Sequence, residues 1–138
     1  MFDETKKYKE NGHFFVKAGD SLNEVSIDVP DKPGVFYIYR LAKGKVELVY
    51  IGKSATNPQN SSLRDWLLNG SLNNKPDGIK SQEFFLHKID TEKIDALDIY
   101  WFVTMNDKNN DLPGFVEGIL MQRFYDVHGR LPLWNRNI

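Results

Sequence analysis

The chain has 138 residues, of which 41% are hydrophobic and 27% charged, with no cysteine and a formal charge of −1. That length suits one domain with its own core, and the missing cysteine excludes a disulfide framework or a thiolate metal centre. No apolar run reaches membrane-span length and the start MFDETKKYKENG is no signal peptide, so a cytoplasmic protein with no membrane partner is expected.

Up to about Asn11 the chain reads as a loosely held or briefly helical lead-in. "HFFVKAG" and "EVSIDVP" read as extended pieces, the second from the alternation of Val25, Ile27 and Val29. Pro33-Gly34 opens a β-hairpin whose runs "VFYIYRL" and "VELVYIG" turn at Ala42-Lys43-Gly44. "NPQNSS" is a loop, and Ser61 or Ser62 caps a short helix through Leu68 that Asn69-Gly70 ends. "NNKPDG" is a second loop and "IKSQEFFLHKI" a helix. "ALDIYWFVTM", apolar on both faces, is a central strand.

Beyond the polar "NDKNND", Pro113 starts a helix running to about Val127, and "HGRLPLWNRNI" is an irregular tail. The order predicts a small α/β (α+β) domain over residues 33–138. Its centre is a three-stranded, mainly antiparallel sheet flanked by helices, with residues 1–32 an N-terminal extension packed on it.

Charge is unevenly spread. Between Lys32 and Arg64 stand six basic residues (Lys32, Arg40, Lys43, Lys45, Lys53, Arg64) against the single acid Glu47. A phosphate-facing patch on a mildly acidic body has this distribution, as does a solvated hairpin with lysines at its turn. "GKS" at 52–54 is not a phosphate loop, because that motif needs glycine where Glu47 stands.

Alternation places Gly34, Phe36 and Ile38 on one face of the hairpin and Val35, Tyr37 and Tyr39 on the other, with Leu48, Tyr50 and Gly52 sharing a face of the second strand. Gly52 lets a backbone or ligand come close, and Lys53 sits where strand gives way to loop. In the last helix Leu112, Phe115, Val116, Ile119, Leu120, Phe124 and Val127 form one apolar arc. Glu117 falls at its margin and Arg123 snorkels from within it. Trp66, Trp101 and Trp134 read as core tryptophans rather than base-stacking platforms.

Gly34-Val35-Phe36, then Tyr50-Ile51-Gly52-Lys53, an arginine in "SSLRDWL", Glu117 and a closing "LPLWN" together resemble the GIY-YIG nuclease superfamily, over residues 33 to 135. The resemblance implies a metal-dependent endonuclease that hydrolyses DNA phosphodiester bonds. Tyr50 is then a general-base or water-orienting residue, Lys53 lowers its pKa or holds a phosphate oxygen, and Arg64 clamps the scissile phosphate. Glu117 holds a single Mg²⁺ or Mn²⁺. Gly34, Phe36, Gly52, Lys43, Lys45 and Asn135 are the expected substrate-side residues, Asn135 through a supporting hydrogen bond. Phe36 stands where the family usually carries its first tyrosine. The alternative is a catalytically impaired module of the same fold that binds nucleic acid or a protein, either a second copy of the chain or a targeting partner.

Overall fold

The computed structural model describes residues 2–55, 62–69 and 81–135. Most of the two expected loops, together with Ser61, Gly70, Ile79 and Lys80, lies outside the described residues. Four strands, β1 (Asn11–Val16), β2 (Gly34–Ala42), β3 (Lys45–Lys53) and β4 (Ala96–Val103), form one antiparallel sheet in the order β1-β4-β2-β3. The helices are α1 (Leu22–Val25), α2 (Leu63–Asn69), α3 (Ser81–Thr91) and α4 (Pro113–His128), and Asp3–Thr5 and Leu133–Asn135 are 3₁₀ turns. The fold is therefore mixed α+β, but its sheet has four strands rather than the expected three. The extra strand is β1, in the segment read as an extension, which pairs with β4 from Asn11↔Phe102 to Val16↔Leu97.

Each face of the sheet buries its own core. On one face Phe36, Ile38, Val49, Tyr50, Leu97, Ile99 and Trp101 pack against Leu22, Leu63, Leu67, Phe85, Ile89 and Trp134. On the other, Val35, Tyr37, Leu48, Ile51 and Phe102 lie beneath Val116, Leu120 and Phe124 of α4 and Phe2 and Tyr8 of the lead-in. Both inner strands, β2 and β4, are covered on two sides, and this is why "ALDIYWFV" carries so little polarity. The lead-in is strapped down by the Tyr8 hydroxyl, which donates to Asp111 at 2.7 Å, and by Arg123, which donates to Glu4 at 2.7 Å. Arg123 is thus an exposed ion-pair residue and not a snorkelling one.

Three local outcomes depart from the pattern of the sequence. The Val25–Val29 stretch is not a strand: α1 occupies Leu22–Val25 and a turn follows, because Val25 and Val29 both reach the core from a helical turn rather than from a pleat. The apolar arc of α4 is only partly buried: Pro113, Val116, Leu120 and Phe124 face the sheet, while Leu112, Phe115 and Val127 are exposed. The third departure lies in the hairpin, where Ile38 pairs with Tyr50 and Tyr39 with Leu48, leaving Val49 without a partner. This β-bulge places two residues opposite one. Leu48 therefore joins the α4 side while Tyr50 joins the α2 side, and the two do not share a face as simple alternation requires.

Turns and caps follow from residue type. Lys43 and Gly44 both adopt positive φ (54° and 73°), the two-residue turn that matches strand twist. The Ser62 hydroxyl accepts the Asp65 N–H at 3.2 Å, capping α2 as its sequence suggests. Gly129, at φ 69°, closes α4 in the left-handed conformation.

The open edge of β3 is held by one side chain. The buried Asn135 amide accepts the Ile51 N–H and donates to the Ile51 carbonyl, both at 2.9 Å, as a neighbouring strand would. Asn135→Ala leaves both backbone groups without those partners, and a loss of about 2–4 kcal/mol is expected from two unmade buried hydrogen bonds. Urea unfolding of parent and variant checks this, and a loss below about 0.5 kcal/mol would show that the amide does not pin the strand.

Candidate active site

The bulge aims Tyr50 at an aromatic group shared by β2, β3 and α2. The ring centroids of Phe36 and Trp66 lie 4.6 Å apart, those of Phe36 and Tyr50 6.0 Å, and Tyr50 stacks on Trp66 at 6.1 Å. Gly52, paired with Phe36 across the hairpin, lies beneath these rings. A Cβ at Gly52 would collide with both Phe36 and Tyr50, so only glycine lets the two rings close over the strand.

Lys53 follows on the opposite face and is exposed. Its methylene stem crosses the first turn of α4, with Cδ and Cε 3.9 Å from the point where a Cβ would stand on Gly114. Glu117 lies three residues further along the same helix. Burial holds its pKa above the ordinary carboxylate value, against a smaller downward pull from the Lys53 charge. Burial also raises the Tyr50 phenol well above its ordinary value, and the Glu117 charge raises it further. The expectation that Lys53 lowers the Tyr50 pKa is therefore reversed: Lys53 acts on Glu117, and Glu117 acts on Tyr50. At neutral pH the phenol is a neutral donor rather than a base.

The remaining candidates have other roles. Arg64, at the start of α2, donates to the Asn23 side-chain oxygen at 2.8 Å, to the Asn23 carbonyl at 3.1 Å and to the Ser26 carbonyl at 3.4 Å. Its guanidinium thus ties α2 to α1, and none of these bonds runs to Tyr50, Lys53 or Glu117. Phe36 is fully buried and supplies packing, not a surface for substrate. Gly34 is buried where a Cβ would run into the Phe102 carbonyl, and its own N–H donates to the Ser54 hydroxyl at 2.9 Å. Asn135 is likewise internal, pairing only with Ile51. Lys43 and Lys45 sit at the other end of the hairpin, about 26 Å from Lys53 along β3 at ~3.3 Å per residue. Of the ten candidates, Phe36, Tyr50 and Gly52 meet on the α2 side of β3, while Lys53 and Glu117 lie on the α4 side, with the Glu117 charge acting on Tyr50.

Two further residues border the site. Trp66, expected as a core tryptophan, supplies the wall on which Tyr50 stacks. Gly114 is the point of α4 that the Lys53 stem passes, at a distance where even a Cβ would make only ordinary contact.

The donor set limits what metal could be held. Among the described residues Glu117 has no hydrogen bond or ion pair, and no group of three or more His, Cys, Asp or Glu is clustered to hold an ion. One partly buried carboxylate without a partner fits a hard divalent ion such as Mg²⁺ or Mn²⁺ that keeps most of its waters. It does not fit a metal that needs a complete protein cage. No helix among the described residues is long and apolar enough to cross a membrane.

Comparison with protein-family models, curated proteins and solved structures found no match. The raised pKa of Glu117 has a direct consequence for stability. A carboxyl whose folded pKa is raised binds its proton more tightly in the native state. Its ionisation therefore removes stability as pH rises from the ordinary carboxylate range through the folded value. Glu117→Gln is expected to be more stable than the parent at pH 7, with the advantage fading towards pH 4. Thermal unfolding of both proteins across that range is the check. Equal stability at every pH would show that the Glu117 carboxylate carries no burial penalty.

Proposed function

We propose that the chain is a slow, metal-dependent endonuclease of the GIY-YIG type acting on DNA phosphodiester bonds. The observation that carries this reading is the Lys53 stem lying against the first turn of α4, three residues from the unpartnered carboxylate of Glu117, with the Glu117 charge also acting on Tyr50. The chain order supports it too: hairpin, two helices, strand and long helix, with the hairpin strand β2 beside β4.

In this reading Glu117 holds a single Mg²⁺ or Mn²⁺, which when bound neutralises charge on the phosphoryl group. Lys53, exposed and free of ion pairs among the described residues, takes a phosphate oxygen. Tyr50, protonated at neutral pH, positions the attacking water by donating or accepting a hydrogen bond rather than by removing its proton. Arg64 holds Asn23 and Ser26 through Nε and Nη2, and as a clamp it would offer a phosphate its remaining Nη1 donors or exchange these bonds for it.

Two observations favour a second reading, in which the same fold binds nucleic acid or a protein partner without effective catalysis. Phe36 brings no hydroxyl to the site, and the Arg64 guanidinium is engaged at α1.

Incubating supercoiled plasmid with Mg²⁺ or Mn²⁺ separates them. The expected result is slow nicking that stops with chelator and in Glu117→Ala, while DNA binding by that variant persists. The rate falls as pH drops towards the carboxylate range, beginning at a higher pH than an ordinary carboxylate would give, because burial raises the Glu117 pKa. Arg64→Ala is expected to lower the rate about 10²- to 10³-fold if the arginine is recruited as a clamp. Phe36→Tyr raises the rate by restoring a hydroxyl at the ring carbon above Gly52. A parent that binds DNA but is inert while Phe36→Tyr cleaves selects the second reading. Failure of both proteins to bind or cleave any nucleic acid removes the nuclease reading.

A further inference from the structure

At the far end of the hairpin lies a cleft of about 560 Å³, lined by Arg40, Lys43, Lys45, Glu47, Glu92 and Lys93 among others. Its base is an ion-pair network. The Arg40 guanidinium donates to both Glu47 and Glu92, Lys88 also reaches Glu92 at 3.1 Å, and Arg130 reaches Glu47 at 3.7 Å. Each carboxylate is thus answered by two cations. Lys43, Lys45 and Lys93 make no hydrogen bond or ion pair among the described residues, so three ammonium groups surround the cleft without a counter-charge. The α3 C-terminus points partial negative charge towards this region, but a helix end is equivalent to only about −0.5. That is far less than three uncompensated lysines.

Backbone conformation gives an independent observation. Lys43 and Lys93 both hold φ 54°, one in the β2–β3 turn and the other just beyond α3. Glycine or asparagine relaxes into this left-handed region and a lysine does so under strain. The fold therefore keeps lysine, twice, on the two rims of one cleft at positions where a neutral residue fits the backbone better. Strain of this kind concentrates at ligand sites.

The geometry points to a phosphate-binding cleft here, separate from the Glu117 site, whose ligand carries adjacent phosphates gripped by Lys43, Lys45 and Lys93. A lone carboxylate cannot engage three ammonium groups on opposite rims, whereas a di- or triphosphate or consecutive backbone phosphates can. The inference does not rest on the nuclease reading.

The test uses the full chain in buffer free of divalent ions. The parent is compared with the combined variant Lys43→Asn, Lys45→Gln, Lys93→Asn, in which asparagine suits the two left-handed positions, so the fold is retained. Inorganic pyrophosphate is titrated calorimetrically, and a labelled single-stranded dT 12-mer is followed by anisotropy at several salt concentrations. The parent is expected to bind at least one of the two probes, and the variant to bind it at least tenfold more weakly. If the source is a nucleic-acid backbone, the dT salt dependence (log Kd against log salt) loses about 2 units of slope in the variant, from three contacts at ~0.7 each. If it is a small polyphosphate, pyrophosphate binding is lost while that slope is unchanged. Equal affinities of parent and variant for both probes, or no binding of either by the parent, overturn the proposal. A protein that cleaves no DNA yet passes this test loses the nuclease reading and keeps the cleft.

Discussion

Across the hairpin, Val49 has no partner, and the directions of its neighbours on both sides depend on that. In a regular strand residues five apart point to opposite faces, which would put Lys45 and Tyr50 on opposite sides of the sheet. With one residue inserted between them, both lie on the side covered by α2 and α3. Glu47 moves with Lys45 and so meets Arg40 and the end of α3, while Leu48 turns under α4. Restoring the regular register would put either the Tyr50–Trp66 stack or the Leu48 packing on the wrong face, since a one-residue slip inverts every side chain beyond it.

The candidate site is assembled at the edge of the molecule for a related reason. β3 is the last strand of the sheet, and its exposed end carries Lys53 while Leu48 to Gly52 are buried. Tyr50 comes from one face and Lys53 from the other, and α4 brings Glu117 within electrostatic range of both. The arrangement disfavours the charged form of Glu117 through burial and offers it only a distant cation. Native sites commonly hold such unfavourable groups, with the surrounding core supplying the stability. Here that support includes the fully buried Phe36 and Leu63 and the Asn135 clasp on Ile51.

Much of this was legible in the sequence where local chemistry decides. The hairpin turn, the Ser62 cap and the start of α4 at Pro113 each follow from the conformational preference of one or two residues. The proximity of Phe36 and Tyr50 was expected from strand pairing, but it depends on the bulge, without which Tyr50 would pair with Tyr37 on the other face. What depended on distant contacts was not legible. Val25, Ile27 and Val29 alternate like a strand, yet Ile27 is exposed and the core takes Val25 and Val29 from a turn. "HFFVKAG" reads as an extended piece, but its place in the sheet as β1 is set by β4, far away in the chain. The bulge at Val49 has no glycine to announce it. Arg64 matched a clamp by order alone, and its partner Asn23 lies in a helix of one turn that periodicity cannot detect.

The strand order has a consequence for how the chain reaches this state. β4 lies between β1 and β2, so neither of those strands gains its β4 partner until a late segment has been placed between them. His13 and Asp98, hydrogen-bonded across the β1–β4 pair, are 85 residues apart in the chain. The hairpin can zip up locally within microseconds, but β1 must wait for a very long loop to close. Folding is then governed by the arrival of β4, and the waiting species is a hairpin with one apolar flank uncovered. Such an exposed strand invites pairing with another molecule. The refolding yield of this protein should accordingly fall with concentration well before its native stability becomes limiting.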